Sequence, residues 1–179
     1  MSIDMVCSAH PVADFDTRPA TLADAGPIAE IYNQGIADRV AAFETDPRTA
    51  AQIDEWLTGR NLVMVAETGE TEVVAFAASF PYSARPCYAG IGEFSVYVRR
   101  DYRRRGAGRA VLAALIEAAA ALDMHKLPSR VFPENAASRA LLKGLGFEEI
   151  GIHRRHGRLD GGWRDCVIVE RLLNKGATE

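Results

Sequence analysis

Apolar residues alternate with polar ones in one stretch of the chain and run almost unbroken in the next, and the junction between the two organises the rest. Phe94, Val96 and Val98 alternate with polar or mixed positions, the period-two pattern of a half-buried strand. From about Gly108 to Asp123 the chain reads as a helix, with a long apolar run over Ala110–Leu122 broken only by Glu117. Upstream, Asp16 to Ala20 is a short strand candidate. Thr21-x-x-Asp24 has capping-box spacing ahead of Ile28, Ile31 and Tyr32, predicting a helix from Leu22 or Ala23 to about Gln34. Pro27 falls in its first turns, where proline is tolerated. Residues 33–45 read as loop, and a second helix spans about Thr49 to Leu57. Asn61–Glu67 and Glu72–Phe80 are strands joined by a tight turn, and Tyr82–Gly90 is irregular. After the long helix come a strand over Lys126–Phe132 and a last helix ending near Gly144, with Gly146 just beyond it. Strands at Phe147–Arg154 and Cys166–Leu172 follow, with Gly161-Gly162-Trp163 heading their hairpin. Residues 1–15 carry no pattern and read as a loose tail. Residues 16–175 read as one α+β domain.

The turn between the central strand and the long helix reads Arg103-x-x-Gly106-x-Gly108. Glycines at this spacing let backbone N–H groups converge, and a helix N-terminus adds partial positive charge. A pyrophosphate suits such a cradle, and six arginines between Arg99 and Arg109 raise the potential around it. The phosphate loop with a terminal Gly-Lys-Ser/Thr does not fit, because no lysine follows these glycines. Nor does the dinucleotide fingerprint, whose third glycine is Val111 here. A solvated basic turn capping a helix is the plain alternative, and the flanking strand and helix weigh against it.

Composition narrows the field only slightly. The 179 residues suffice for a real core, and 48% hydrophobic with 25% charged residues is ordinary for a globular protein. A net charge of −3 makes the arginine cluster a local feature and argues against general nucleic-acid binding. Cys7, Cys87 and Cys166 are odd in number and follow no metal spacing, so a reducing, cytoplasmic setting is expected. The four histidines form no ligand pattern, and no metal is expected. The run Ala110–Leu122 is interrupted by Glu117 and too short to span a membrane, and no signal peptide is seen.

The strand, the Arg-x-x-Gly-x-Gly turn and the helix together resemble the cofactor motif of the GNAT acyltransferases. That resemblance implies a mixed, mostly antiparallel sheet flanked by helices and splayed into a V where acetyl-CoA enters. It implies pantetheine contacts along Ser95, Val96, Tyr97 and Val98. Pyrophosphate contacts would come from Arg103, Arg104, Arg105, Gly106, Ala107, Gly108 and Arg109. Pro128, near the start of the following strand, donates no ladder hydrogen bond, which is tolerable beside such a gap. Asn135 and Ser138 are candidates for bonding pantetheine, and equally for capping the last helix. Glu93, at the inner end of the strand, is the candidate general base for an ammonium acceptor; a solvated or arginine-paired glutamate is the alternative. The tyrosine that often protonates the leaving thiolate in this family is Leu142 here, which leaves Tyr97 as a candidate donor.

Within that family the chain is most similar to phosphinothricin and arsinothricin N-acetyltransferases. The likeness rests on Ile31-Tyr32-Asn33, Phe43-x-Thr45, Ala84-Arg85-x-x-Tyr88, Glu93-x-Ser95-Val96-Tyr97-Val98, Leu145-Gly146-Phe147 and Gly161-Gly162-Trp163. It implies a homodimer that acetylates a glutamate-like amino acid, with Arg85 and Tyr88 at the substrate's oxyanion and Tyr32, Asn33 and Phe43 walling its pocket. Two positions depart from that pattern: Ser83 stands where a basic residue is common, and Asp160 where a histidine is. Acetylation of a peptide N-terminus or a polyamine, a CoA-sensing domain without turnover and a nucleic-acid module are the competing readings.

Overall fold

The computed structural model describes residues 15–173, so the N-terminal tail and Cys7 lie outside it. Strand β1 (Asp16–Pro19) leads through a 3-10 turn at Leu22–Asp24 into α1 (Ala25–Asp38). Asp24 accepts the Thr21 backbone N–H at 2.7 Å, the reach-back half of a capping box, and takes the Arg18 guanidinium at 2.8 Å. The first helix therefore begins as a tight turn and extends four residues past Gln34. Ile36 continues the buried stripe of Ile28, Ile31 and Tyr32, and Arg39 ends the helix in the left-handed region, at φ 57°. Gly35, mid-helix, is where the sequence hinted at an end. An added Cβ there would lie 2.6 Å from Tyr97 Cδ1, so glycine lets the ring sit against the helix. Gly35→Ala is expected to cost about 1–3 kcal/mol of overpacking, read as a lower melting temperature; an unchanged melt would show that Tyr97 moves freely.

α2 (Ala50–Thr58) is capped as its sequence predicts, with Thr49 accepting the Gln52 N–H at 3.3 Å and Gln52 returning a bond at 3.0 Å. β2 (Leu62–Glu67), β3 (Val73–Pro81) and β4 (Gly92–Val98) follow, forming an antiparallel sheet of order β1-β2-β3-β4. α3 (Ala107–Ala121) covers one face through Val111, Leu112, Leu115 and Ala119, while α1 and α2 cover the other. β3 is buried on both faces, and Phe76 is fully enclosed.

The remaining strands form a second sheet of order β5-β7-β6, from β5 (Lys126–Val131), β6 (Glu148–Leu159) and β7 (Gly162–Leu172). β4 and β5 run parallel and meet through a single bridge, Ile91 to Lys126, at their starts. Beyond it no ladder joins them. Pro128 has no N–H to offer, and Ser129 Oγ donates instead to the Phe94 carbonyl at 2.7 Å. This is the splay the resemblance implied. α4 (Ala136–Gly144) closes the gap from the side. Strands β6 and β7 are longer than the pattern predicted, because β6 is an edge strand exposed along most of its length. With no buried face its residues need not alternate, so HRRHGRL gave no period-two signal.

Candidate active site

Gly106 caps α3 with φ 101°, a conformation closed to residues with a side chain. The first intrahelical bond runs from Ala110 N–H to Gly106 C=O at 3.0 Å, which leaves the amides of Ala107, Gly108 and Arg109 ahead of it without helical partners. Gly108 lets the helix approach β4, since a Cβ there would meet Val98 Cγ2 at 3.1 Å. Arg103, Arg104, Gly106, Gly108 and Arg109 line a groove of about 430 Å³ with Val96, Val98 and Ser138. The arginine cluster is less positive than its count. Arg99 pairs with Glu72 and Asp101, while Arg100 and Arg103 grip Asp38 at 2.6 Å each. Burial opposes ionisation of Asp38, but those guanidiniums hold its carboxyl below the usual range. Arg105 stacks over the Tyr102 ring at 5.2 Å and does not line the groove; Ala107 is fully buried, backbone included, and does not line it either.

Antiparallel pairing decides which β4 groups face the gap. The Phe94 carbonyl points toward β5, so those of Val96 and Val98, two and four residues on, point the same way. Arg103 Nε occupies the Val98 carbonyl at 3.1 Å. Both backbone groups of Val96 and the N–H of Val98 are thus left facing the gap, in the pattern an extended pantetheine amide chain requires. Asn135 caps α4 by accepting Ser138 N–H at 3.1 Å and donates to the Val40 carbonyl at 3.1 Å. Its side chain is therefore committed to structure, while the Ser138 hydroxyl remains open to the groove.

Between β4 and β5 the groove narrows to a passage lined by Phe94, Ser95, Val96, Ser129, Val131 and Leu142. Leu142 is buried in its wall and has no proton to give. The passage opens into a cavity of about 390 Å³ walled by Tyr32, Phe43, Trp56, Phe80, Phe132 and Tyr97. Glu93 also lines it, and Arg130 Nη2 lies 2.5 Å from Glu93 Oε1. The same pair borders a second cavity, of about 470 Å³, lined by Tyr82, Tyr88, His153 and His156. Burial, then Arg130 and His153, push the His156 imidazole below its ordinary range. Across the first cavity Glu44 and Arg48 face each other at 3.8 Å, and Arg48 Nε is buried with no partner.

Tyr97 shares a strand face with Glu93 and Ser95, stacks on Phe76 at 5.4 Å and contacts Tyr32 at 4.7 Å between ring centroids. Burial, then the neighbouring Tyr32, drives its phenol well above the ordinary range, so it stays protonated. Tyr32 is raised for the same first reason, with Glu44 adding to it. Phe43 reaches across the cavity to Phe132, edge to face at 5.0 Å, and leaves no room for a Cβ at Gly157.

Two expected substrate residues fall elsewhere. Asn33 does not line the cavity; its amide pins the α1–α2 loop by bonding the Arg48 backbone twice, at 2.7 and 2.9 Å. Arg85 lies on the rim beside a 3-10 turn, its guanidinium 5.5 Å from the Tyr88 ring, and lines neither cavity. Asp160 pairs with Arg39 at 3.6 Å, tying the β6–β7 hairpin to the end of α1. The residue the sequence did not offer is Arg130, hidden in a short strand with no motif around it. Among the described residues no cluster of metal ligands occurs, and no helix is long and apolar enough to cross a membrane.

Comparisons with known proteins agree with this geometry. Residues 28–147 match the acetyltransferase (GNAT) family. A phosphinothricin N-acetyltransferase of Streptomyces coelicolor is 33% identical over 90% of this chain and 98% of its own. An L-methionine sulfoximine/L-methionine sulfone acetyltransferase of Pseudomonas paraeruginosa is 32% identical over 88% of this chain and 94% of its own. The structure of a GNAT superfamily phosphinothricin acetyltransferase from Sinorhizobium meliloti, in complex with AcCoA, superposes with a TM-score of 0.83 at 28% identity, over 90% of each chain. With the amide cradle, the splayed strands and the unpaired β4 edge in place, this chain belongs to the GNAT family of acetyl-CoA-dependent N-acetyltransferases.

Proposed function

We propose that the protein acetylates the α-amine of a glutamate-like amino acid, of the phosphinothricin, arsinothricin or methionine sulfoximine type, in a direct ternary complex. The observation that carries this reading is the position of Glu93, which lines the aromatic cavity and directly precedes Phe94 and Ser95, the β4 residues shared by that cavity and the passage from the cofactor groove. Acetyl-CoA supplies the thioester carbonyl that the amine attacks. Ser138, the Val96 backbone and the α3 amides hold it, and Glu93 takes the ammonium proton directly or through water. Three strand steps lead from Val96 to Glu93, about 10 Å, room for an acetyl group and an incoming amine between them. Tyr97, protonated throughout the working range, is the candidate proton donor to the departing thiolate. Cys166 also borders the cavity, but burial first of all raises its thiol, which disfavours a relay through an acyl-enzyme. Intersecting rather than parallel initial-velocity lines are therefore expected.

The cavity's charges rank the acceptors. Glu44 and Glu93 balance Arg48 and Arg130, so a zwitterion with a neutral polar side chain suits it better than a doubly anionic one. The part-exposed Arg48 guanidinium, held only by a 3.8 Å contact to Glu44, offers a donor to a sulfoximine or sulfone oxygen. Following thiol release from acetyl-CoA across an acceptor panel tests this. Saturable turnover with methionine sulfoximine or sulfone, at an apparent KM roughly tenfold below that for phosphinothricin, is the expected result. Turnover confined to a polyamine or a peptide would discard the amino-acid reading and keep the acetyl transfer. The homodimer implied by the resemblance has a candidate face in the exposed Ile150, Ile152 and Trp163 of the β6–β7 hairpin.

A further inference from the structure

We infer that Arg130 is the anchor for the acceptor's α-carboxylate, and that it exchanges Glu93 for that carboxylate when the acceptor binds. The inference rests on the amino-acid reading above and adds a specificity-determining residue to it. Four observations lead there. Arg130 borders the narrow passage and both cavities, so its guanidinium stands beside Glu93 in each space an acceptor can occupy there. Its Nη2 lies 2.5 Å from Glu93 Oε1, and both side chains keep more than a third of their surface in solvent, 40% and 35%, so the pair can open. The other arginines nearby are placed differently. Arg48 stands beside Glu44 on the far wall, away from Glu93, Arg164 bonds Glu134, and Arg85 is on the rim. The ionisable side chains that share a cavity wall with Arg130 include Glu93, His153, His156, Cys166, Lys126 and Glu170; neither histidine supplies a competing anion, and Glu170 is held by Lys126.

Geometry selects the α-carboxylate over a side-chain oxyanion. Ordinary bond lengths along N–Cα–C–O keep the carboxylate oxygens within about 3.5 Å of the amine nitrogen. A guanidinium already touching Glu93 meets an anion that close to the amine with little movement of its own. A phosphinate or sulfonyl group several bonds away reaches it only by folding the acceptor's side chain back on itself, whereas the extended side chain points toward Arg48. Charge balance makes the exchange favourable. One ion pair, Arg130 with Glu93, becomes two: Arg130 with the carboxylate in a two-pronged contact, and Glu93 with the ammonium. An amine without an adjacent carboxylate finds Glu93 already occupied and brings nothing to release it. Arg130 thereby favours free amino acids over polyamines and over peptide N-termini, whose neighbouring carbonyl is an uncharged amide.

The test compares methionine sulfone with its α-carboxamide, in the full chain at saturating acetyl-CoA, for the native protein, Arg130→Gln and Arg130→Lys. The native protein is expected to prefer the acid strongly. Arg130→Gln raises the acid's apparent KM about 10- to 100-fold while moving the carboxamide's by less than about threefold, so the preference collapses. Arg130→Lys, which keeps a charge without the fork, recovers part of it and carries the test if the Gln variant fails to fold. Equal losses on acid and carboxamide would overturn the inference and leave Arg130 as a support for Glu93 alone. A native protein that acetylates only polyamines or peptides would remove the amino-acid reading and the anchor together. Acid turnover with an unchanged acid-to-carboxamide ratio in Arg130→Gln would remove the anchor and spare the reading.

Discussion

Glu93→Ala is expected to lower kcat/KM for the acceptor by about 10²- to 10⁴-fold at neutral pH, the range a positioned general base supplies. At about 1.4 kcal/mol per tenfold, that is roughly 3–5.5 kcal/mol of lost transition-state stabilisation. The affinity for acetyl-CoA should hold, because the groove residues on the α3 turn and at Val96 lie on the far side of the narrow passage from Glu93. The deficit should also depend on pH in a definite direction. Glu93 matters because the acceptor enters as an ammonium. As pH rises through the acceptor's own amine pKa the free base enters unaided, and the variant closes on the native enzyme. Glu93→Gln separates the roles, since it keeps the shape and a weak contact to Arg130 but accepts no proton. Thiol release over a pH series, beside calorimetric binding of acetyl-CoA, reads all three effects. Native-like turnover of Glu93→Ala at neutral pH would remove Glu93 from the mechanism.

The cofactor half of the site was legible because it is local. One strand, one turn and one helix carry it, alternating apolar residues give way to an apolar run within twenty positions, and Gly106 marks the backbone that must bend. The acceptor half is not local. Its walls come from the α1–α2 loop, β5 and β7, brought together only by the splay, and no periodicity states which way a loop travels. Arg85 and Asn33 were placed by likeness of short motifs. In the folded chain one stacks on Tyr88 at the rim and the other spends its amide on the Arg48 backbone. Arg130 had the opposite fate: its only signal, a charged residue within LPSRVF, is ordinary on a strand read as half-buried. The pairing of Arg130 with Glu93 was the alternative weighed for that glutamate, and it coexists with catalysis only if the pair opens. The arginine cluster misled in a milder way. Counting positive residues could not show that Asp38, at the end of α1, would come to sit beneath two of them.

The second large effect belongs to Gly106. Its φ of 101° turns the chain into α3 so that Gly108 and Arg109, whose amides have no helical partner, come to line the groove together. Gly106→Ala cannot hold that conformation cheaply, since a side chain in this part of backbone space costs about 1–3 kcal/mol. Two responses are open to the chain, and both reach function. If the turn keeps its shape, the strain appears as lost stability, and the protein melts several degrees lower. If the turn relaxes, the stability returns, but the two amides no longer converge and the partial charge of the α3 N-terminus is aimed elsewhere. Two charge-assisted N–H contacts to a pyrophosphate are then weakened together, which should raise the dissociation constant of CoA by about 10- to 100-fold. Dephosphorylated pantetheine separates the causes, because it contacts the β4 edge and not the turn: its binding should change little in Gly106→Ala. A variant with native melting temperature and native CoA affinity would show that the anion is held by the Arg104 and Arg109 side chains rather than by the backbone. In that case charge reversal at Arg104 would become the decisive substitution.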